Sequence, residues 1–366
     1  MYDYLVVGAG LFGATFAWRA IHAGKKVLVV DSRRHVGGNC YTYYDGGIHV
    51  HAYGPHIFHT PDVEVWKFME RFTTFEPYVH RVHAIAKDKR VYSLPINLAT
   101  LNQVFGVVTP SEAAQQLERV RVPCSDPKNL EQWALSRVGK ELYELLFEGY
   151  TTKQWGKHPS QLPAGIIKRL PIRFTWDDNY FTDRYQGIPN NGYTDIIERM
   201  LDGCEVVLRT DFFNEREKLE KMSKRTVYTG RLDEYYDHIH GTLEHRSVTF
   251  SSYEENVPDF QGTSQMNYTD VATAWTRIVE HKHFSRVDLS PARTIVTYEF
   301  PEECVLHAVP CYPINTAEND AKQAKYAATA TLEQRMVFGG RLASYKYLDM
   351  WKVIKDAHEL ADREGL

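Results

Sequence analysis

"YLVVGAGLFGATFAWRAIHAGKKVLVVDSRRHVGGN", residues 4–39, is the stretch on which the fold turns. An apolar run from Leu5 to Val7 meets Gly8, Gly10 and Gly13, and a helical segment follows. A second apolar run, Val27 to Val30, ends at Asp31, 18 residues after Gly13. Strand, glycine turn, helix, strand and acid in that order form the context in which GxGxxG binds a dinucleotide. The glycines allow a tight turn and close backbone approach, so the helix N-terminus faces a pyrophosphate and Asp31 accepts from a ribose.

Just beyond Asp31, "SRRHVGGN" sets a basic pair before Gly37 and Gly38. This resembles the extended FAD signature of the amine-oxidase and related flavoproteins. "VFGGR", 337–341, again ends an apolar strand in two glycines and an arginine, where such chains return to their first domain. FAD is therefore expected as the resident cofactor rather than NAD.

At 366 residues the chain is too long for one core, which predicts two or three domains. Apolar residues make up 43% and charged residues 25%, with a net charge of −4 and no long basic run, so nucleic acid is not the expected partner. No run of about 18 apolar residues predicts a membrane span. The strand pattern begins at once, which predicts no leader peptide. Five scattered cysteines without a CxxC argue against a disulfide framework and a cysteine zinc site, and point to a reducing cytoplasm. Aromatic residues reach 13%, 23 of them tyrosines, a side chain suited to polar ligands as well as to packing.

Residues 100–170 read as helical: "TPSE", 109–112, is a capping box, and "EQWALSRVGKELYELLFEG" repeats Leu135, Val138, Leu142 and Leu145 at helical spacing. "RVHAIAKDKRVYSLP", "RSVTF" and "ARTIVTYEF" predict an antiparallel sheet. "TVYTG", 226–230, reads as a return to the nucleotide-domain sheet, and Met350, Val353, Ile354, Ala357 and Leu360 predict a final helix packed on that domain. The expected fold class is α/β plus α and β subdomains. A discontinuous Rossmann-like FAD-binding domain covers 1–75, 205–240 and 325–366, a helical domain 96–170, and an antiparallel sheet domain 76–95, 171–204 and 241–324.

His49, His51, His56 and His59 crowd one segment, but no cysteine or tight carboxylate cluster accompanies them, so no metal is expected. They suit the lining of a flavin site, with His56 or His59 open to a general-base role. "KRLPIRFTWDDNYFTDRYQGIP" and "TAWTRIVEHKHF" mix arginines with rings, a pairing for a diphosphate and a base or sugar, though each arginine alone reads equally as a surface ion-pair partner. In "GYTTKQWGKH", 149–158, Tyr150 and Trp155 read as core aromatics at a helix end or as a platform for a planar ring.

Together "GAGLFGA", "VGGNCYT", "YGPHIFHT", "GYTTKQWG", "IIKRLPIRFTWDDNYFTDRYQGIP", "NYTD", "TRIVEHKHF" and "VFGGRLASYKYLDM" resemble the bacterial UDP-galactopyranose mutases, in order and over nearly the whole length. The resemblance implies a nucleotide-sugar isomerase active on reduced FAD, in which flavin N5 attacks the anomeric carbon, UDP leaves, and the sugar recloses between pyranose and furanose rings. It places uracil against Tyr150 and Trp155, and gives Arg169 and Arg277 the diphosphate. Tyr180, Tyr312 and Tyr347 would donate to phosphate oxygens, with Asn267 at the uridine or sugar end. Its flavin positions match Gly8, Gly10, Leu11, Phe12, Gly13, Asp31, Ser32, Gly38, Asn39, Gly340, Arg341, Tyr347, Asp349 and Met350. It further implies a homodimer, and NAD(P)H as a transient reductant, since no second dinucleotide fingerprint is present.

Departures from the family pattern fall at Ala274, Trp275, Cys311, Asn191 and Arg231, the last where proline is common. They touch no flavin motif, and leave dTDP-linked, deoxy or N-acetylated sugars as alternative substrates. A flavin oxidase would share the glycine motifs but not KQWG or the arginine–aromatic segments. A non-catalytic nucleotide-sugar binding protein would bind without turnover.

Overall fold

The computed structural model describes residues 1–167, 171–285, 292–305 and 308–366. The chain forms two compact units: Met1–Tyr78, Asp183–Glu244 and Tyr312–Leu366 make the first, Val79–Thr182 and His245–Cys311 the second.

A five-stranded parallel sheet centres the first unit, in the order Glu205–Val207, Val27–Val30, Tyr2–Val7, Ser223–Tyr228, Met336–Phe338. Parallel strands covered on both faces need continuous apolar runs, which is why "VLVV" is buried throughout. Alternate residues serve opposite faces: Tyr4 and Val6 join one core cluster, Leu5 and Val7 another. Helix Leu11–His22 packs on the first face beside helix Met350–Arg363, whose Val353, Ile354, Ala357 and Leu360 are buried at the predicted spacing. Truncating Ile354, fully buried here, to alanine costs about 2–5 kcal/mol by the usual core rule.

The division differs from expectation: the helical and sheet segments of the second unit are not separate, and residues 76–78, 183–204, 241–244 and 312–324 join the first. Residues 185–204 belong to the first unit rather than to the antiparallel sheet of the second. Strand Tyr185–Pro189 pairs with Phe58–Thr60 and Phe75–Pro77. Helix Gly192–Met200 then buries Tyr193, Ile196, Ile197 and Met200 in the same cluster as the fingerprint helix. Apolar burial, not chain proximity, sets the division.

In the second unit six strands order as His245–Glu255, Thr294–Glu303, Arg277–Glu280, Gln265–Tyr268, Val82–Ile85, Val91–Leu94. All neighbours are antiparallel except Gln265–Tyr268 and Val82–Ile85, which pair parallel. Helices fill the rest. Thr109 and Glu112 close the predicted capping box on Pro110–Val120. The long helix expected from residue 131 onward is broken instead. Gly139 takes φ 78°, and a Cβ there would lie 2.5 Å from the Val120 carbonyl oxygen. Only glycine holds that backbone and admits that neighbour. A π-helical turn, Tyr143–Phe147, and a short helix, Glu148–Trp155, follow.

Candidate functional site

In the first unit the fingerprint glycines do different work. Gly8 sits at φ +110°, and a Cβ on Gly13 would lie 2.0 Å from the Gly8 carbonyl oxygen, so both are demanded by the turn and by helix packing. Gly10 is demanded by neither. Its φ is −80°, open to any residue, and a Cβ would meet only Gly38 Cα at 3.8 Å. A missing side chain that the protein itself does not require leaves room at a helix N-terminus, which is where a pyrophosphate fits. Gly38, at φ +54°, closes on Gly10 from the other side, with a Cβ-to-Cα approach of 3.1 Å.

Asp31 ends the second strand, and its two carboxylate oxygens accept from the Ala9 and Arg33 amides, each at 2.8 Å. Arg33 in turn donates to Asn39 Oδ1 at 2.8 Å, so the Asp31–Asn39 segment is one hydrogen-bonded loop, with Ser32 exposed on it. Leu11 and Phe12 begin the helix, both buried. The Phe12 ring packs beneath Gly339, where a Cβ would come within 2.2 Å of it, and that contact seats Gly340 against the fingerprint. Arg341 lies over the Tyr347 ring at 5.1 Å, and Tyr347 stacks on Tyr312 with centroids 5.7 Å apart. Asp349 precedes the last helix and accepts from Lys352, and Met350 sulfur stands 3.8 Å from Cys40 Sγ.

The four histidines do not converge on a point. His56 Nδ1 bonds the Gly54 carbonyl at 2.8 Å and its amide donates to His51 Nδ1 at 2.9 Å. His59 Nδ1 meets Asp183 Oδ2 at 2.5 Å. Asp183 was not singled out from sequence, because 124 residues separate the pair. Among the described residues Asp259, Glu280 and His283 bring ligand atoms together, but Lys282 already pairs with Asp259 at 3.2 Å and Glu280 accepts from two main-chain amides.

The second unit holds a pocket. Tyr150, Trp155, Tyr180, Asn267 and Arg277 all line it, over an apolar floor that includes Ile96 and Val138. Tyr150 and Trp155 are both half-buried, near the start and at the end of a helix, Glu148–Trp155, that Gly156 stops in the left-handed region. Neither is a sealed core ring. Gln265, two residues before Asn267 and on the same strand face, donates Nε2 to Asn267 Oδ1 at 2.9 Å. That bond orients the Asn267 carboxamide. Arg277 is fixed by Glu299, directly opposite on the next strand, through an Nε–Oε2 contact of 2.5 Å. Burial pushes the Glu299 carboxyl up and the Arg277 charge pulls it back. The i, i+2 spacing could have pointed to Gln265; nothing short of the strand register points to Glu299. Arg169 lies outside the described residues.

A basic fork, an oriented amide, a tyrosine hydroxyl and two partly exposed rings in one cavity suit an anion attached to a planar base. Among the described residues no helix is long and apolar enough to cross a membrane.

Residues 145–347 match a family model described as UDP-galactopyranose mutase, and residues 6–72 one described as an NAD(P)-binding Rossmann-like domain. The chain is 40% identical to a probable UDP-galactopyranose mutase of Klebsiella pneumoniae, over 98% of this chain and 94% of that one. It is 38% identical to a dTDP-fucopyranose mutase of Escherichia coli, over 99% and 98%. A crystal structure of reduced UDP-galactopyranose mutase superposes with a TM-score of 0.74 at 11% identity, covering 100% of this chain and 95% of that one. A putrescine oxidase superposes at 0.59 and 13%, so the fold by itself does not separate mutase from oxidase.

Proposed function

The chain belongs to the UDP-galactopyranose mutase family, and from that membership we propose that it interconverts the pyranose and furanose forms of a nucleotide sugar, UDP-galactose first, with reduced FAD as cofactor. The observation that carries the reading is the pocket joining Tyr150 and Trp155 to Asn267 and Arg277 in a chain whose Gly10 leaves space at the fingerprint helix.

Gly8, Gly10, Gly38, Asp31, Asn39, Gly340 and Arg341 would hold the dinucleotide. Reduced flavin, when bound, supplies nucleophilic chemistry at the anomeric carbon with no net oxidation. The chain's own residues bind and orient. Tyr150 and Trp155 stack the base, and Asn267 offers its amide to the nucleoside or sugar. Arg277, held by Glu299, neutralises charge on the departing diphosphate, and Arg169 joins it. Tyr180, Tyr312 and Tyr347 donate hydroxyls to phosphate oxygens, so UDP is kept in place while the sugar ring changes. His59, with Nδ1 bound to Asp183, and His56 on the same segment would line the flavin side. NAD(P)H is the reductant of this scheme, the working protein a homodimer in the cytoplasm.

A second substrate remains in view because the dTDP-fucopyranose mutase is nearly as similar as the UDP-galactopyranose mutase. UDP-galactofuranose and dTDP-fucofuranose offered in parallel to the dithionite-reduced protein decide between them. A higher kcat/KM for the UDP sugar supports the first reading, turnover of the dTDP sugar alone supports the second, and turnover of neither refutes both.

A further inference from the structure

Lys153 sits on helix Glu148–Trp155 between the two rings of the pocket. A basic residue there invites a phosphate role, but its hydrogens are already spent. Nζ donates to the main-chain carbonyls of Tyr268 at 2.8 Å, Thr273 at 3.0 Å and Trp275 at 2.8 Å. An ammonium group has three donors, and all three are used.

The acceptors lie on the segment that leaves Asn267 at the end of one strand and delivers Arg277 at the start of the next. That segment has its own ties: Tyr268 and Thr276 are bonded across its neck at 2.8 Å, and Asp270 accepts from Thr273. The helix meets it closely, because a Cβ on Gly149 would lie 2.2 Å from the Thr269 carbonyl oxygen. We propose that Lys153 is a positioning residue: it fastens the ring-bearing helix to the Asn267–Arg277 segment, setting the distance between base platform and diphosphate contact without touching the nucleotide. The proposal rests on reading this pocket as a nucleotide site.

The charge state matters to the clamp. Burial pushes the Lys153 amine down to about 8, with the Asp270 carboxylate opposing. Other charges nearby are Arg246, which donates to the Gln154 and Lys153 carbonyls, Lys89 beside Asp270, and Glu148 on the same helix, paired with His158. A neutral amine has two donors and turns a lone pair on the third carbonyl. The clamp is therefore complete below this value and weakened above it.

The test is calorimetric titration of the holoprotein with UDP, and in parallel dTDP, at about pH 7 and about pH 8.6, below the ionisation of the base. Lys153→Met is expected to bind about tenfold more weakly at the lower pH, as loss of a charged hydrogen-bond set implies. Wild-type affinity is expected to fall with rising pH and the variant's to stay flat. A variant that loses thermal stability but binds UDP as wild type does overturns the proposal. Should Lys153→Met not fold, the wild-type profile decides, and an affinity unchanged between the two pH values overturns it. Wild-type protein that binds neither nucleotide refutes the pocket reading itself, and this inference with it.

Discussion

Arg277 and Glu299 face each other in register on neighbouring strands, with Nε bonded to Oε2 at 2.5 Å and the carboxylate 1% exposed. Arg277 also lines the pocket. Arg277→Ala should lower kcat at least about 100-fold while the protein keeps its flavin, the scale of losing one charged transition-state donor. Glu299→Gln, which still offers an oxygen to Nε, should retain most activity, and Glu299→Ala should not. Steady-state rates beside flavin content per protein check all three; wild-type rates in Arg277→Ala would remove its role.

Tyr150 and Trp155 are half-buried pocket walls rather than core, so truncating either should leave the fold and weaken UDP. Stacking of one base is worth about 1–3 kcal/mol, so Trp155→Ala should raise the UDP Kd roughly 5- to 150-fold. Equilibrium dialysis measures it. An unchanged Kd with an intact fold would place the base elsewhere.

Two glycines three residues apart should fail differently. Gly13→Ala forces a methyl group to within 2.0 Å of the Gly8 carbonyl oxygen and should lower Tm, with overpacking costing about 1–3 kcal/mol. Gly10→Ala meets only ordinary contacts and should fold as well as wild type, yet purify colourless. Flavin absorbance and the Tm of the cofactor-free proteins separate the two outcomes.

Arg231 holds Asp233, which is fully buried. Its backbone at φ −69° would accept proline, so Arg231→Pro isolates the side chain. Without the guanidinium the buried Asp233 carboxylate keeps only the Leu243 amide and His238, and breaking the buried pair should cost about 3–5 kcal/mol. Burial pushes the Asp233 carboxyl up, but Arg231 and the Leu243 amide outweigh it and hold it below the ordinary value. A carboxyl lowered in the native state stabilises above its unfolded pKa, about 3.9, and loses that stabilisation as pH falls through the native value. The gap between wild type and variant in urea melts should therefore narrow below about pH 4.

The glycine fingerprint was legible because it is local: strand, turn, helix and acid lie within one short segment, and backbone geometry dictates the residues. The closing helix was legible for the same reason, its buried face being written at helical spacing. Gly139 defeated the helix reading, since its purpose is the approach of Val120, a contact between separate helices. Residues 185–204 defeated the domain reading because only the packed cluster reveals which core takes Ile196 and Met200. At the pocket the aromatic and arginine residues were visible as types. Lys153 and Glu299, which orient them, act on groups more than 20 residues away in sequence or through main-chain carbonyls, and no spacing rule marks such partners.

The measurement that tests the central claim most directly is a paired assay of the flavin-loaded protein, oxidised and dithionite-reduced, with UDP-galactofuranose, followed by chromatography of the nucleotide sugars. Conversion to UDP-galactopyranose after reduction only is the predicted result. Equal conversion in both states, or oxygen consumption in place of isomerisation, would contradict a mutase that depends on reduced flavin.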